Sequence, residues 1–418
     1  MIRYRIPTRW IHYDATALVR ELTEAKGFIL LLKSIPYQRR WVDALQEMQL
    51  KLEIAGTSKI EGADFSGNEL DAAMKETPEQ LLTRSQRQAH SATQAYRWIA
   101  TLPPDRPLNV DLIREIHSRI ITGADDDHCP PGKIREPDQN VIFGTPQHRG
   151  AEGGEECRQA LESLVQAARN EFPAHDPLIQ ALAVHYHLGA MHAFLDGNGR
   201  TARAVEALML QRAGLRDTAF IAMSNYYYDE KKHYLENLNQ VRDLGDDLTP
   251  FLRFGLRGIA LQSQRLANEI RAHVSKEIFR SLAHDLFTRL VSPKKRFIAE
   301  RQLDILKVLL ERDEVDFEEL VKLITDRYKS VKNPRKAIVR DVNHLLGLRA
   351  IHIKAQKGNR FLISVRLEWP GEVTEGDFYE LLKSLPKSKT TSFLAGALEV
   401  SPARQESSEG ATAPEGKS

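Results

Sequence analysis

Residues 192–203 read HAFLDGNGRTAR, so a histidine, a carboxylate, two glycines around an asparagine, and two arginines fall within one short stretch. Apolar residues recur at helical spacing on either side of it, over 177–192 and 200–213. The sequence therefore predicts a glycine loop that runs directly into the N-terminus of a helix. Such a turn points free backbone N–H groups and the positive end of the helix dipole at one place, which suits a phosphate group.

The side chains of this stretch are those that phosphate-transfer chemistry needs. Arg200 and Arg203, one helical turn apart, offer fork-shaped donors for phosphate oxygens. Asp196 is a hard oxygen ligand that can hold Mg²⁺ against the same phosphates. His192 can take a proton from an incoming hydroxyl group. Together these residues predict a nucleotide-dependent transferase, and the alternative is a glycine loop that only caps a helix.

The same stretch resembles the signature of the Fic (Fido) family, H-P-F-x-[D/E]-G-N-G-R-x-x-R. The matching positions are His192, Phe194, Asp196, Gly197, Asn198, Gly199, Arg200 and Arg203. Ala193 stands where the family has a proline, which changes the rigidity of the turn but removes no chemical group.

The resemblance implies an enzyme that transfers AMP from ATP to a Ser, Thr or Tyr hydroxyl of a protein target, with Mg²⁺ as its metal. The implied roles are catalytic base for His192, Mg²⁺ ligand for Asp196, phosphate cradle for Gly197, Asn198 and Gly199, neutralisation of the leaving group for Arg200, and contact with the γ-phosphate for Arg203. Alternatives within the family are removal of AMP, with Glu61 aligning a water molecule, and transfer of UMP, phosphocholine or phosphate. An alternative from another class is a DNA-binding regulator whose Fic domain senses nucleotide.

A second motif lies far upstream, where residues 57–62 read TSKIEG. It resembles the inhibitory motif [S/T]-x-x-x-E-[G/N] of the family, with Thr57, Glu61 and Gly62 in register. The resemblance implies a helix that packs over the nucleotide site and pairs Glu61 with Arg203. Because Arg203 cannot serve both Glu61 and the γ-phosphate, such a pair inhibits the enzyme. The alternative is an ordinary helix end that stops at Gly62.

Three further residues are assigned to the nucleotide site through the resemblance: Phe194, His187 and Tyr234. Tyr234 belongs to the segment SNYYYDEKKHYLENL, which resembles the part of the family that closes over the adenine. The alternative for Tyr234 is a tyrosine packed in the core. His185 and His187 do not form a metal pair, because residues two apart point to different sides of a helix.

The composition of the 418 residues favours a soluble, cytoplasmic protein with no membrane partner. The formal net charge is +2, so the chain as a whole is not a polyanion binder. Two cysteines, Cys129 and Cys157, favour a reducing compartment over a disulfide framework. The first residues, MIRYRIPTRW, lack the apolar segment of a secretory signal, and the longest apolar run is FILLL.

The patterns predict a mainly α protein with a helical Fic (Fido) fold. Helical spacing covers 14–32, 37–56, 66–100, 109–121, 155–171, 177–192, 200–213 and 229–272. Residues 122–151 are rich in Gly, Pro and Asp, and predict a loop with a small hairpin near 140–143. There Gly132, Arg135, Gln139 and Asn140 resemble the approach to the family's β-hairpin flap, which binds the target segment by strand addition. The alternative is an ordinary surface loop.

The last third of the chain predicts a separate unit. Helical patterns cover 301–311, 316–327 and 334–347, and Asn333 is the predicted N-cap of the third. Two alternating segments joined by a turn at 357–359 follow, and this order resembles a winged helix. Around the third helix lies a basic cluster that suits phosphate: Arg327, Lys329, Lys332, Arg335, Lys336 and Arg340. DNA contact, dimerisation and target docking are the alternative uses of this unit, and we consider a homodimer. The predicted domains are 1–104 with the inhibitory motif, 105–272 as catalytic core, 293–370 as winged helix, and 371–418 as a short helix and disordered tail.

Overall fold

The structure is a computed structural model that describes residues 2–35, 39–144, 146–215, 221–289, 293–356 and 360–384. The chain divides into two units, Met1–Ile270 and Arg271–Ser418. Helices form most of both units, which confirms the prediction of a mainly α protein. The finer division predicted from the sequence, with boundaries at 104 and 272, stays a prediction.

Helices in the first unit follow the predicted segments with two corrections, and one further helix, Met223–Asp229, was not predicted. Predicted helix 66–100 is two helices, because Ser66 and Thr83 each start a helix with a capping box. Predicted helix 229–272 is interrupted at 244–248, where Gly245 and Asp246 adopt left-handed backbone angles. The helices are α1 (Val19–Ser34), α2 (Arg39–Ile60), α3 (Gly67–Lys75), α4 (Arg84–Thr101), α5 (Val110–Ile121), α6 (Glu155–Asn170), α7 (Pro177–Met191), α8 (Asn198–Leu210), α9 (Met223–Asp229), α10 (Lys231–Asp243) and α11 (Thr249–Thr288), inside which the unit boundary falls.

The central element of the first unit is α7, which is apolar on nearly every side and therefore buried. Asp176 starts it by accepting a hydrogen bond from the Leu178 N–H, and Pro177 occupies the first turn. It ends at His192, whose φ of 50° is left-handed. Helix α8 then begins at Asn198, two residues before its predicted start, behind Gly197 with φ 71°. The two positive φ values fold the motif into a tight loop between packed helices.

A small sheet covers one end of this helix pair. The predicted hairpin is confirmed, because β2 (Ile142–Phe143) pairs antiparallel with β3 (His148–Arg149), with Phe143 opposite His148. A strand that was not predicted, β1 (Ile2–Arg3), pairs parallel with the other side of β3. Arg3 is held there by Glu152 at 2.6 Å and Glu156 at 2.5 Å. Strand β3 is thus central, and β2 forms an edge of the sheet.

The second unit contains the predicted helices and strand pair, plus a strand that was not predicted, β4. Its elements are α12 (Pro293–Arg312), β4 (Glu314–Asp316), α13 (Phe317–Ile324), α14 (Pro334–Gly347), β5 (Ile351–Gln356), β6 (Arg360–Val365), α15 (Trp369–Glu372) and α16 (Glu375–Ser384). The strands form an antiparallel sheet in the order β4-β6-β5. Asn333 caps α14 as predicted, by accepting a hydrogen bond from the Lys336 N–H at 3.1 Å. The predicted turn at 357–359 and the predicted disordered tail lie outside the described residues, and the winged-helix assignment stays a prediction.

Among the described residues, no helix combines the length and apolar character that crossing a membrane requires.

Helix α2 packs on α9 at unusually short range. A Cβ atom at Gly56 would lie 2.3 Å from the carbonyl carbon of Ser224 and 2.4 Å from the backbone nitrogen of Asn225. One turn earlier, the buried Glu53 accepts a hydrogen bond of 2.8 Å from the Ser224 N–H. One turn later, Lys231 donates to the Ile60 carbonyl at 2.8 Å. Because backbone meets backbone here, only glycine fits at position 56.

We expect Gly56→Ala to lower the free energy of unfolding by about 1–3 kcal/mol, as an overpacked contact does. Gly27→Ala is the matched control, because Gly27 lies on the exposed side of α1 with no atom within 4 Å of its added Cβ. In the control, removing a helix glycine should be neutral or stabilise by up to about 1 kcal/mol. Urea unfolding of both variants measures the difference, and equal stabilities would contradict the close packing of α2 on α9.

Candidate active site

His192 carries the geometry of a base. Its Nδ1–H donates to the Gly189 carbonyl at 2.6 Å, which leaves Nε2 as the nitrogen with the lone pair. The Phe143 ring of β2 stacks on the imidazole, with ring centres 3.6 Å apart and planes 9° apart. Burial lowers the pKa of His192 to about 4, so the ring is neutral at physiological pH. A neutral, oriented imidazole is what proton abstraction requires.

The loop after His192 is braced by its own asparagine. The Asn198 side chain accepts from the Phe194 N–H at 2.9 Å and donates to the Phe194 carbonyl at 2.8 Å. Both ends of the Asn198 amide are used within the loop, so this side chain braces the loop, and the place of Asn198 in a phosphate cradle stays a prediction. No side chain caps α8, so the N–H groups of its first turn face the loop without such a partner.

Phe194 and His117 form a stacked pair beneath the loop, with ring centres 3.8 Å apart. His117 accepts from the Gly132 N–H at 2.9 Å through Nδ1, so Nε2–H donates to the Asp196 carbonyl at 3.0 Å. Burial lowers the pKa of His117 to about 4. Phe194 is therefore a packing residue rather than a visible phosphate contact. The sequence offered no signal for His117 beyond a histidine on the buried face of α5.

Arg135 connects the segment before the β2–β3 hairpin to the loop that begins at His192. Its guanidinium donates to the carbonyls of His192 at 2.7 Å, Gln139 at 2.6 Å and Ala151 at 2.5 Å. Burial lowers the pKa of Arg135, and its hydrogen bonds go to backbone carbonyls. Its contacts join three segments that are distant in sequence, as expected for a residue that positions a loop. Asn140, by contrast, is exposed.

Asp196 lies within a ring of hydrogen-bond donors. Its Oδ1 accepts from the Gly197 N–H at 2.5 Å and lies 3.5 Å from Nη2 of Arg200. Its Oδ2 is 2.9 Å from Nε2 of His128. Burial would raise the pKa of Asp196, but the hydrogen bonds from His128 and Gly197 and the charge of Arg200 hold it below its usual value. Asp196 is therefore ionised and suited to a cation.

Asp125 is a second carboxylate at this place, and the sequence reasoning missed it. It is fully buried and accepts from Nη1 of Arg200 at 2.6 Å, from Nε of Arg84 at 2.7 Å and from Gln88 at 2.9 Å. Oxygen atoms of Asp125 and Asp196 and a nitrogen of His128 lie within 4.8 Å of one another. Asp125 belongs to the acidic stretch ADDDH, which lies between the predicted helix 109–121 and the predicted hairpin. No spacing rule distinguishes Asp125 from the other two aspartates of this stretch.

Arg203 is paired with the upstream motif. Its Nη2 donates to Oε1 of Glu61 at 2.6 Å, and its Nε donates to Oγ1 of Thr57 at 3.0 Å. Burial would raise the pKa of Glu61, but the charge of Arg203 and its hydrogen bond lower it, so the pair is ionic. The Arg203 side chain is 2% exposed and that of Glu61 is 35% exposed. The predicted contact between Glu61 and Arg203 is confirmed.

Two glycines shape this contact. Gly62 has φ 90° and ends the turn that carries Glu61, which both interpretations of TSKIEG allow. Gly199 allows the carboxylate to approach α8, because a Cβ there would lie 2.6 Å from Oε1 of Glu61. The first turn of α8 therefore faces Glu61 at van der Waals range.

Two residues predicted at the nucleotide site belong to the core. Nε2 of His187 is 2.6 Å from the Trp10 carbonyl, and the residue is 2% exposed, away from the loop. His187 lies within α7 and contacts the Trp10 carbonyl, whereas His192 follows the helix with a left-handed backbone and contacts the Gly189 carbonyl. Tyr234 is buried with its hydroxyl 2.8 Å from Nε2 of His185 and its ring stacked on Tyr227. Tyr234 also interacts with Arg203, so this buried tyrosine borders the site from the core and offers no exposed face for adenine.

Residues 107–210 match the family model of the Fic/DOC family. The chain carries a Fic domain. The match contains α5, the β2–β3 hairpin, α6, α7 and α8, and with them His192, Asp196, Arg200 and Arg203.

Curated relatives of the Fic domain are named protein adenylyltransferases. The chain is 32% identical over 148 residues to protein adenylyltransferase fic-1 of Caenorhabditis briggsae, covering 35% of this chain and 26% of the relative. It is 27% identical over 218 residues to protein adenylyltransferase Fic of Nematostella vectensis, covering 50% of this chain and 41% of the relative. The chain thus spans between about a quarter and two-fifths of the length of these relatives.

Solved structures show the same fold. Fic-1 from Caenorhabditis elegans aligns with a TM-score of 0.51 and 22% identity, over 61% of this chain and 73% of that structure. A Fic family protein from Desulfovibrio desulfuricans aligns with a TM-score of 0.53 and 17% identity, over 87% of this chain and 98% of that structure.

We expect two histidines of this Fic domain to titrate on opposite sides of the ordinary histidine value. Burial lowers the pKa of His192 to about 4, whereas hydrogen bonds to Asp196 and Asp127 raise the pKa of His128 above 6.5. NMR titration of the imidazole resonances, assigned with His192→Gln and His128→Gln variants, measures both midpoints. A His192 midpoint at or above 6.5 would contradict the buried, neutral base.

Proposed function

We propose that the chain is a protein adenylyltransferase, which moves AMP from ATP to a Ser, Thr or Tyr hydroxyl of a protein and releases pyrophosphate. The observation that carries this proposal is the neutral His192, oriented by Gly189, beside a phosphate-suited loop with Asp196, Arg200 and Arg203. The names of the curated relatives support the same activity.

The reaction needs little covalent help from the protein. His192 Nε2 accepts the proton as the hydroxyl oxygen forms a bond to the α-phosphorus, and the bond from that phosphorus to the pyrophosphate oxygen breaks. Arg200 neutralises charge on the leaving group, and Arg203 receives the γ-phosphate. Most of the rate then comes from positioning and from fixed charges.

The donors around the loop fit a nucleotide with its metal. Arg200 is 3% exposed, and among the described residues its Nε has no hydrogen-bond partner, so a buried donor is left for an anion. The first turn of α8 offers further N–H groups. Asp196 would hold Mg²⁺, which neutralises phosphate charge when bound.

Inhibition by Glu61 is part of the proposal. Arg203 already donates to both Glu61 and Thr57, so the γ-phosphate must compete with an ionic partner. A buried arginine holds its counter-ion firmly, because losing it leaves a charge without a partner. ATP would therefore bind less productively while α2 keeps this contact.

We expect Glu61→Gly to raise AMP transfer and self-labelling, because Arg203 becomes available to the γ-phosphate. Glu61→Gln tests charge alone and should raise transfer less if the hydrogen bond to Arg203 persists. Adding Arg203→Ala to Glu61→Gly should remove most of the gain. The assay uses labelled ATP and cell lysate. Equal labelling by wild type and Glu61→Gly would mean that TSKIEG is an ordinary helix end with no inhibitory role.

His192→Ala should slow transfer by about 10²–10⁴-fold, the range for a positioned base. Its affinity for ATP should change little, because the loop and the arginines hold the phosphates. Measuring both quantities in the Glu61→Gly background separates chemistry from binding. Near-normal labelling by His192→Ala would refute the mechanism.

Mass spectrometry of labelled proteins decides among the alternatives at the same site. An AMP adduct supports the proposal, whereas UMP, phosphocholine or phosphate adducts identify another transferred group. If wild type instead strips AMP from a modified substrate and Glu61→Gly loses this activity, AMP removal is the function and Glu61 aligns the water.

DNA binding by the second unit is a separate proposal with weaker support than the sequence suggested. Four of its six clustered cations have acidic partners; the pairs are Arg327–Asp304, Lys329–Asp326, Arg335–Glu318 and Arg340–Asp341. Within the described residues, Lys332 and Lys336 have no ion pair, and both are exposed beside the start of α14. These two lysines are what supports phosphate contact. A winged helix and a homodimer stay predictions.

If α14 contacts DNA, the double variant Lys332→Glu, Lys336→Glu should bind DNA more weakly. The slope of log K against the logarithm of salt concentration should become shallower by about 0.9 for each phosphate contact that is lost. Lys383→Glu on α16 is the control for a change in net charge alone. A mobility-shift titration of the whole chain on mixed duplex DNA measures both. Absence of a shift at low salt would leave docking or dimerisation as the role of the unit.

A further inference from the structure

A third arginine, Arg84, reaches the metal-suited cluster from the N-terminus of α4. A single atom, its Nη2, lies 2.6 Å from Oδ1 of Asp125, 3.3 Å from Nε2 of His128 and 3.9 Å from Oδ2 of Asp196. These three atoms belong to the same group of residues that could hold a metal ion. One cationic nitrogen thus faces the three donors that a divalent cation would use.

The donor set has the chemistry and spacing of a cation site. Two carboxylate oxygens with one imidazole nitrogen suit a divalent first-row ion such as Mn²⁺ better than an all-oxygen site would. Nε2 of His128 and Oδ2 of Asp196 are 2.9 Å apart. Neighbouring ligands at right angles around an ion, each about 2.1 Å from it, lie about 3 Å apart, so both atoms could bind one ion once the proton on Nε2 has left.

An independent observation points to a bound group at this place. Arg200 is nearly fully buried, and its Nη2 lies 3.5 Å from Oδ1 of Asp196. Its Nε has no hydrogen-bond partner among the described residues. A buried donor left open beside a cation site is suited to an anion that accompanies the cation. Arg84 differs from Arg200 because its side chain is 54% exposed and can turn into solvent.

We propose that His128 joins Asp196 as a ligand of the divalent cation, and that Arg84 competes with this cation for Asp125, His128 and Asp196. The inference rests on the proposed function only in taking Asp196 as the metal ligand. Cation binding then requires the guanidinium to leave, so the N-terminus of α4 controls access to the site. The imidazole ligand gives Mn²⁺ an advantage over Mg²⁺.

The test is direct cation binding by the full chain without nucleotide, measured by Mn²⁺ electron paramagnetic resonance and by calorimetry with Mg²⁺. Arg84→Gln should bind Mn²⁺ about tenfold more tightly, because a positive charge beside the ligands is removed. Arg84→Lys keeps the charge and should stay near wild type. Arg87→Gln, one turn further along α4, is the control for loss of charge alone and should leave affinity unchanged.

His128→Ala should weaken Mn²⁺ binding about tenfold and Mg²⁺ binding less, which lowers the preference for Mn²⁺. Unchanged or weaker Mn²⁺ binding by Arg84→Gln, with its melting temperature retained, would overturn the competition. Unchanged Mn²⁺ binding by His128→Ala would overturn the ligand assignment. Because no ATP is used, failure here leaves AMP transfer intact as a proposal, and absence of AMP transfer would not alter these binding results.

Discussion

Two arginines on one buried helix turn impose the constraint on which this Fic domain depends. Arg200 and Arg203 are each about 3% exposed, and a buried cation is costly unless an anion lies beside it. Arg200 forms an ion pair with Asp125, which is fully buried, and Arg203 forms one with Glu61, whose side chain is about one third exposed. The two pairs differ in how easily a phosphate could replace the protein anion. In the proposed function, the more exposed Glu61–Arg203 pair is the one that a phosphate would replace, whereas the buried Asp125 holds Arg200 in place.

The loop itself is held by contacts that do not depend on a ligand. Left-handed angles at His192 and Gly197 set its course, and Asn198 closes it through the Phe194 backbone. Arg135 fixes the carbonyl of His192 from the opposite side. These bonds involve backbone groups and neither Arg200 nor Arg203, so the orientation of His192 does not depend on which anion pairs with Arg203. Loop geometry and charge pairing are thus separated within one short motif.

Much of the fold was predictable because helices and hairpins leave periodic signals in neighbouring residues. The boundaries of α7, the flap hairpin and the cap at Asn333 followed from spacing and turn residues alone. The misses have local reasons too. A two-residue strand such as β1 is too short to show a period, and the break before α11 depends on left-handed angles at Gly245 and Asp246.

The sequence by itself determined the motif residues, because the signature and TSKIEG each keep their chemistry in fixed local spacing, and the resemblance to the Fic family implied Glu61 as the partner of Arg203. Only the tertiary structure decided which distant residues complete the site. Asp125, His128 and Arg84 reach Arg200 or Asp196 across 68 to 112 positions, and no local pattern marks them. The structure also places His187 and Tyr234 in the core, whereas the sequence analysis assigned them to the nucleotide site. The direction in which a helix side chain points depends on what packs around the helix, which spacing along the chain does not encode.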